Sequence, residues 1–460
     1  MVRLMKLKWI QGLLLWWAWV LVTVLTIGAR AAAQERGAPL LVVISVDGLR
    51  PDYITQADQH GAKVPNLRRF LREGTYADGV TGVIPTVTYP SHTTLVTGVW
   101  PAKHGIWANT TFDPLQKNYQ GWYWYAEDIR VSTLWDAAAA AGRTTASVQW
   151  PVTVGAKVTW NIPEFWRAGT PEDAKLLRLL ATPGLLEEAK AAIGEEYRGG
   201  IDTSVEADEV RGRFAAWILQ NKQPGLLTVH LTSLDHIEHE TQPFSSQAIA
   251  VLEKLDEVIG KIRDEAEHRA PRSTFVAVVS DHGFLDYDQQ LNLFPAFREA
   301  KLFTTDEKGA ITDWRAMPWV TGGSAAIVLK DPNDQRTLGE VRALLAKLAG
   351  DPANGIDRVL EAEELHRQGG YPNASFFVSL KSGWRTGTAL TGPVVSKTKP
   401  GGTHGELPDV PGVRASFFLV GPGVIAGKDL GVIDMRDVAP TLAKEAGLSL
   451  PSADGKPLLP

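Results

Sequence analysis

No cysteine occurs among the 460 residues of this chain. That absence excludes disulfides, thiolate metal sites and cysteine nucleophiles. Outside a reducing compartment, stability would then have to come from packing and from bound metal. Charge of one sign is also in short supply. The formal net charge is −5, and no long basic run follows the extreme N-terminus. A nucleic-acid-binding surface is therefore not expected, while a nucleotide substrate stays open. Internal repeats and low-complexity segments are missing, and beyond the leader no run is apolar enough to span a bilayer.

What is present begins with that leader, "MVRLMKLKWIQGLLLWWAWVLVTVLTIGARAAAQERGAP". Arg3, Lys6 and Lys8 form a positive n-region, and an apolar run reaches about Ala29. "ARAAAQ" offers small residues for cleavage after Ala33, so residues 1–33 read as a signal peptide. An uncleaved membrane tether is the alternative, since spanning takes about 20 apolar residues. Either way the body of the protein is expected outside the cytoplasm: periplasmic, secreted or membrane-anchored.

Along the body, helix and strand patterns alternate. "PLLVVISVDGLRPDYI" is an apolar run ending in an acidic turn, as a buried parallel strand should. "VPNLRRFLREG", "STLWDAAAAAGRTTASVQWP" and "ADEVRGRFAAWILQNKQPGLLTVHLTSLDH" continue the order, followed by the long amphipathic "SQAIAVLEKLDEVIGKIRDEAEHR" and the strand "STFVAVVSDHGF". The fold class is α/β with a mainly parallel sheet between helices. From Asn292 to Gly401 the pattern loosens, and this stretch reads as a smaller inserted cap on a core of residues 34–291 and 402–460. "TGPVVSKTKPGGTHGE" reads as a Gly/Pro-rich loop, and "SFFLVGPGV" as a return to the main sheet.

Acidic residues and histidines gather where these strands end: Asp47 after "VVIS", Asp235 in "DHIEH", Asp281 and His282 after "FVAVV", and His404 in "GGTHGE". In open α/β sheets, sites form at the carboxyl ends of strands. Carboxylate with imidazole is ligand chemistry that suits zinc, with manganese or iron also served. Each residue alone has a plainer reading. A strand-end aspartate is most often a turn or helix cap, and Asp235 with His239 could be a surface ion pair on one helix face. Taken together, aspartates after successive strands and histidines beside them favour a metal centre.

The ordered set "SVDGLRPDYI", "TVTYPSHTTLVTGVWPAKHGIWAN", "DHIEH", "SDHGF" and "GTHGE" resembles the nucleotide pyrophosphatase/phosphodiesterase family of the alkaline phosphatase superfamily, from Leu40 to the C-terminus. The resemblance implies an alkaline-phosphatase-like core and two zinc ions. One would be held by Asp47, Thr88, Asp281 and His282, the other by Asp235, His239 and His404. It also implies that Thr88 is the nucleophile and that Asn109 holds a phosphate oxygen. Tyr89, after Thr88, could stack a base or aryl group. His92 and His104 read as scaffold histidines bonding loop backbone, and Thr86 and Ser91 as weaker rivals to Thr88.

Where relatives often carry a tyrosine five residues before the D-x-x-x-H aspartate, this chain has His230, and the usual following Gly-Pro is Gln242-Pro243. One wall of a nucleobase slot is therefore missing from the pattern. Trp122, Tyr123, Trp124 and Tyr125 are candidates for another wall, with core packing as the rival reading. The activity implied is hydrolysis of a phosphodiester or pyrophosphate through a phospho-threonine, on a small-molecule phosphodiester or nucleotide. A phosphonate hydrolase, a phosphate monoesterase and an inactive surface binding protein are the alternatives. Sulfatase chemistry lacks its cysteine.

Overall fold

The computed structural model describes residues 38–118, 121–167, 169–200 and 202–460. The leader expected over residues 1–33 lies outside the described residues. No helix among the described residues is long and apolar enough to cross a membrane.

An eight-stranded sheet organises the chain from Leu40 onward. Its centre is β1 (Leu40–Val46), flanked in parallel by β3 (Leu226–Leu231) and β4 (Thr274–Val279), with β2 (Thr145–Val148) parallel to β3 on the far side. Strand Trp160–Ile162 forms one edge. On the other side β7 (Phe417–Val420) runs antiparallel to β4 and leads to the short strands Thr75–Tyr76 and Lys428–Asp429. "SFFLVGPGV" thus does return to the main sheet.

Every residue of β1, β3 and β4 is buried, because helices cover both faces. Alternation then assigns side chains to two cores. Leu40, Val42, Ile44 and Val46 join Leu227, Val229 and Leu231 in one. Leu41, Val43, Leu226, Ala277 and Val279 join the other. The first core packs against α2 (Val205–Asn221) and α4 (Ser246–Arg269), and α5 (Val438–Glu445) packs on the second. Toward the carboxyl ends of the strands the second face turns polar, at Ser45, Ser147, Thr228 and His230, all fully buried. Ser45, Thr228 and His230 each have a side-chain partner there, and the change of character marks where the site begins.

The region between 292 and 401 carries a four-stranded sheet and an apolar cluster of its own. The segment expected as a Gly/Pro-rich loop is in part a strand, β6 (Val395–Thr403), antiparallel to β5 (Leu285–Leu291). Its register breaks between Lys397 and Gly401, around Pro400, which cannot donate to a ladder. With Gly383–Thr386 these strands form a three-stranded sheet that straddles the boundaries expected at 291/292 and 401/402.

Candidate active site

Three parallel strands deliver the acids. Asp47 follows β1, and Asp281 with His282 follow β4 one strand away. After β3 the chain enters α3 (Ser233–Thr241), whose first turn carries Asp235 and whose last turn carries His239. One helical turn separates them, with Nε2 of His239 3.4 Å from Oδ1 of Asp235. His404 arrives from the opposite direction, just beyond β6. Glycine makes that approach feasible: a Cβ on Gly402 would lie 2.4 Å from the Glu238 carbonyl oxygen of α3. Gly48 is similarly required, with φ of 76° and Phe284 2.8 Å from where a Cβ would sit.

The six ligand candidates converge. Nε2 of His282 lies 3.0 Å from Oδ2 of Asp281 and 3.4 Å from Oδ1 of Asp47. Nε2 of His404 lies 3.6 Å from Oδ1 of Asp235. The His282 and His404 rings stack with centroids 3.6 Å apart. Two triads of ligand atoms, Asp47–Asp281–His282 and Asp235–His282–His404, each fall within 4.8 Å.

The hydrogen bonds sort the histidine nitrogens. Nδ1 of His239 bonds the Gly402 carbonyl, Nδ1 of His404 bonds that of Thr86, and Nδ1 of His282 bonds that of Gly283, at 2.9, 2.9 and 3.1 Å. In each case Nε2 faces the cluster, as a metal-binding imidazole oriented by its other nitrogen does. Oδ1 of Asp47, Oδ1 of Asp235, Oδ2 of Asp281 and Nε2 of His282 are buried with no hydrogen-bond partner. Buried polar atoms without partners are rare and costly, and four facing one another fit cations. Burial first, then the charges of Asp281 and Asp235, hold the Asp47 carboxyl well above its ordinary range. Burial also disfavours charge on His282, yet the carboxylates of Asp281, Asp47 and Asp235 together outweigh it and lift the imidazole to about 10.

Thr88 opens α1 (Thr88–Thr97), a helix buried along its whole length. Val87 ahead of it is extended and supplies no side-chain cap, and Pro90 falls in the first turn, where a missing N–H costs little. His92, one turn on, bonds the Thr88 carbonyl through Nδ1 and Ser45 through Nε2, at 2.9 and 2.8 Å. It is fully buried and 3.6 Å from Asp281. The segment carrying Thr88 is thus pinned between His404 at Thr86 and His92 at Thr88. Oδ1 of Asn109 accepts from the Tyr89 N–H at 2.9 Å, which leaves the Asn109 Nδ2 group to donate elsewhere. Thr86, the rival nucleophile, spends its hydroxyl on the Glu406 carbonyl and the Gly405 N–H. His104 bonds Thr94 and the Ile106 N–H, and His236 is half exposed beside Glu240.

The surroundings of Tyr89 and of His230 bear on the expected substrate contacts. Tyr89 is 1% exposed, inside a cluster with Ile106, Trp124, Val152, Val154 and Phe165, and Trp122 covers it at 5.3 Å. Its ring has no open face for a base, because the aromatic run that reads as pocket wall packs on it instead. Of that run, Trp124 is core, Trp122 and Tyr123 are half-buried, and Tyr125 is 43% exposed. His230 stands where the pattern lacks its tyrosine wall. It is fully buried behind Asp47, with Nε2 2.9 Å from Oδ2 of that carboxylate. Pattern reading missed His230, Glu164, Ser45 and Glu238 as parts of the site. For Ser45 and His230 the signal available was a polar residue at an alternate position of an otherwise apolar buried strand.

This architecture, a mostly parallel sheet between helices with acids and histidines at its carboxyl edge, is the alkaline-phosphatase-like fold. The human ectonucleotide pyrophosphatase/phosphodiesterase 5 structure superposes with a TM-score of 0.64 at 19% identity, over 91% of this chain and 97% of that one. An inactive threonine-to-alanine variant of the murine enzyme in complex with AMP does so with 0.64 at 20% identity, over 91% and 98%. The model of the type I phosphodiesterase / nucleotide pyrophosphatase family matches residues 41–406, and the chain belongs to that family. Among curated relatives, mouse bis(5'-adenosyl)-triphosphatase enpp4 is 32% identical over 143 residues, 29% of this chain and 28% of that protein. The cattle ENPP4 protein is 25% identical over 284 residues, 58% and 52%. Human ectonucleotide pyrophosphatase/phosphodiesterase family member 1 is 24% identical over 263 residues, 53% and 23%. The chain thus spans about half or less of the length of these relatives.

Proposed function

We propose that this protein is an exported two-zinc phosphodiesterase or nucleotide pyrophosphatase that works through a phosphorylated Thr88. The observation that carries the reading is the pair of facing ligand triads, with four buried polar atoms left unpaired among them. Asp47, Asp281 and His282, with the Thr88 hydroxyl, would hold one ion, and Asp235, His239 and His404 the other. The donor set, oxygen and imidazole nitrogen without sulfur, suits zinc. Such ions supply positive charge to the phosphoryl oxygens and acidify a hydroxyl.

The chain's own residues do the rest. Thr88 at the start of α1 directs its hydroxyl from a helix N-terminus, where an anionic phosphoryl group is favoured. Attack on phosphorus forms a threonine phosphate and releases the leaving group; water then restores the free threonine. Asn109, oriented by the Tyr89 N–H, donates from Nδ2 to a phosphoryl oxygen. Family membership and the naming of relatives as nucleotide pyrophosphatases and bis(5'-adenosyl)-triphosphatases support a nucleotide or diester substrate. The murine relative described as inactive with threonine replaced by alanine supports the role of Thr88. The N-terminal leader supports export.

The test is metal content and turnover measured together on protein lacking residues 1–33. Two ions per chain and preference for a nitrophenyl nucleotide diester over nitrophenyl phosphate and phosphonoacetate are expected. Preference for the phosphonate or monoester would keep the site and change the substrate. Absence of metal would sink the mechanism.

A further inference from the structure

We propose that His230, backed by Glu164, is a positioning residue that fixes which oxygen of Asp47 faces the metal, an inference that rests on the metal reading above. His230 pairs with Ser45 in the β1–β3 register, so its ring stands beside the end of β1, where Asp47 leaves the sheet. The two oxygens of Asp47 have different surroundings. Oδ2 bonds Nε2 of His230 at 2.9 Å, whereas Oδ1 is unpaired and lies 3.4 Å from Nε2 of His282. A carboxylate with one oxygen anchored can turn only the other toward the ion.

The far edge of the ring is anchored as well. Nδ1 of His230 lies 3.2 Å from the Gln149 carbonyl and 3.4 Å from Oε2 of Glu164. Glu164 is 3% exposed, and that oxygen has no hydrogen-bond partner; the histidine edge is one polar neighbour of the carboxylate and the Tyr89 hydroxyl another. Gln149 adopts φ of 61° at the end of β2, a conformation rare for a side chain of its size. The Tyr197 hydroxyl bonds the Gln149 side chain at 3.0 Å. On one face of the His230 ring lies His92, with centroids 4.3 Å apart, and His92 holds the Thr88 carbonyl. One buried array therefore ties the orientation of a ligand to the turn that carries the nucleophile. An apolar side chain of similar volume would fill the space but leave Asp47 Oδ2 buried without its donor.

The metal-loaded protein tests this through a readout other than turnover. His230→Leu, His230→Gln and Glu164→Gln are compared with the unchanged chain by titration with a chromophoric chelator, and by the visible spectrum after loading with Co2+. His230→Leu is expected to weaken one of two ions by about ten- to a hundredfold and shift one cobalt band, while the second ion is unaffected. His230→Gln keeps one N–H for Asp47 and is expected to recover most of that loss. Glu164→Gln should show a smaller loss in the same ion. Two ions bound by the unchanged chain, with wild-type affinity and spectrum in every folded variant, would overturn the array and leave the metal reading standing. If His230→Leu does not fold, unchanged affinity in both glutamine variants overturns it equally. An unchanged chain that binds no metal overturns both.

Discussion

The two halves of the candidate metal centre are built differently. Asp47, Asp281 and His282 stand at the ends of central strands with side chains 5% exposed or less. Asp235, His239 and His404 come from a helix and a strand-to-loop junction, with side chains 20%, 42% and 9% exposed. The inner half is held by register in a sheet buried on both faces. The outer half is held by contacts between α3 and β6, which Gly401 and Gly402 bring together. Rigidity therefore concentrates where Thr88 lies, and access where solvent can reach. His282 stands between the halves and joins both triads.

The hardest break in this comparison is Thr88→Ala. On the proposed mechanism turnover should fall by at least about a thousandfold with melting temperature kept, because the hydroxyl would be the reacting group and does little for the fold. Retained turnover would remove Thr88 from the mechanism. Replacing ligands should separate the halves: His239→Asn is expected to lose one ion, Asp281→Asn the other, and His282→Ala to weaken both, as counted by metal analysis. Equal losses in all three would mean the halves are not separable. Chelation should show an order without any mutation, since the exposed outer ion ought to leave at least about tenfold faster than the buried one. A single release phase would contradict it.

Stability offers smaller effects. Asp47 and Asp281 face one buried imidazole, so the metal-free protein buries two carboxylates near each other. Asp47→Asn is expected to stabilise the metal-free chain by about 1–2 kcal/mol in urea unfolding while abolishing inner-ion binding. A loss of stability would mean that the His230 bond outweighs the repulsion. His104 gives a reference buried histidine away from both halves. Burial pushes its imidazole down to about 3. The unfolded chain then binds a proton between about pH 6.5 and 3 that the folded chain does not. Its contribution is complete above pH 6.5 and lost as pH falls, by up to about 1.4 kcal/mol per unit. His104→Gln should flatten the stability profile between pH 7 and 5, and an unchanged slope would assign the acid sensitivity elsewhere.

Much of the scaffold could be read from local pattern. Strand β1 is an unbroken apolar run because both its faces are covered, and α4 shows its amphipathic period over six turns. The helical spacing of Asp235 and His239 follows from three intervening residues. Other features had no local signature. The strand at Val395–Thr403 exists because β5 lies beside it, and its sequence of Pro, Gly and Lys has little strand propensity of its own. Sequence leaves Trp122 between pocket wall and core, and Tyr89 able to stack a base, until packing brings the two rings onto each other.

By itself, the order of residues determined the class of fold, the strand ends at which acids and histidines collect, and the threonine that follows a valine and precedes Tyr-Pro. Those properties depend on periodicity, turn chemistry and residue type, which are local. Tertiary structure alone decided that His282 is shared between two triads, that three histidines turn Nδ1 to backbone carbonyls and Nε2 inward, and that His230 stands behind Asp47. These relations join residues up to 318 positions apart, Thr86 to His404, and distance across a fold is set by how the sheet and its covering elements pack.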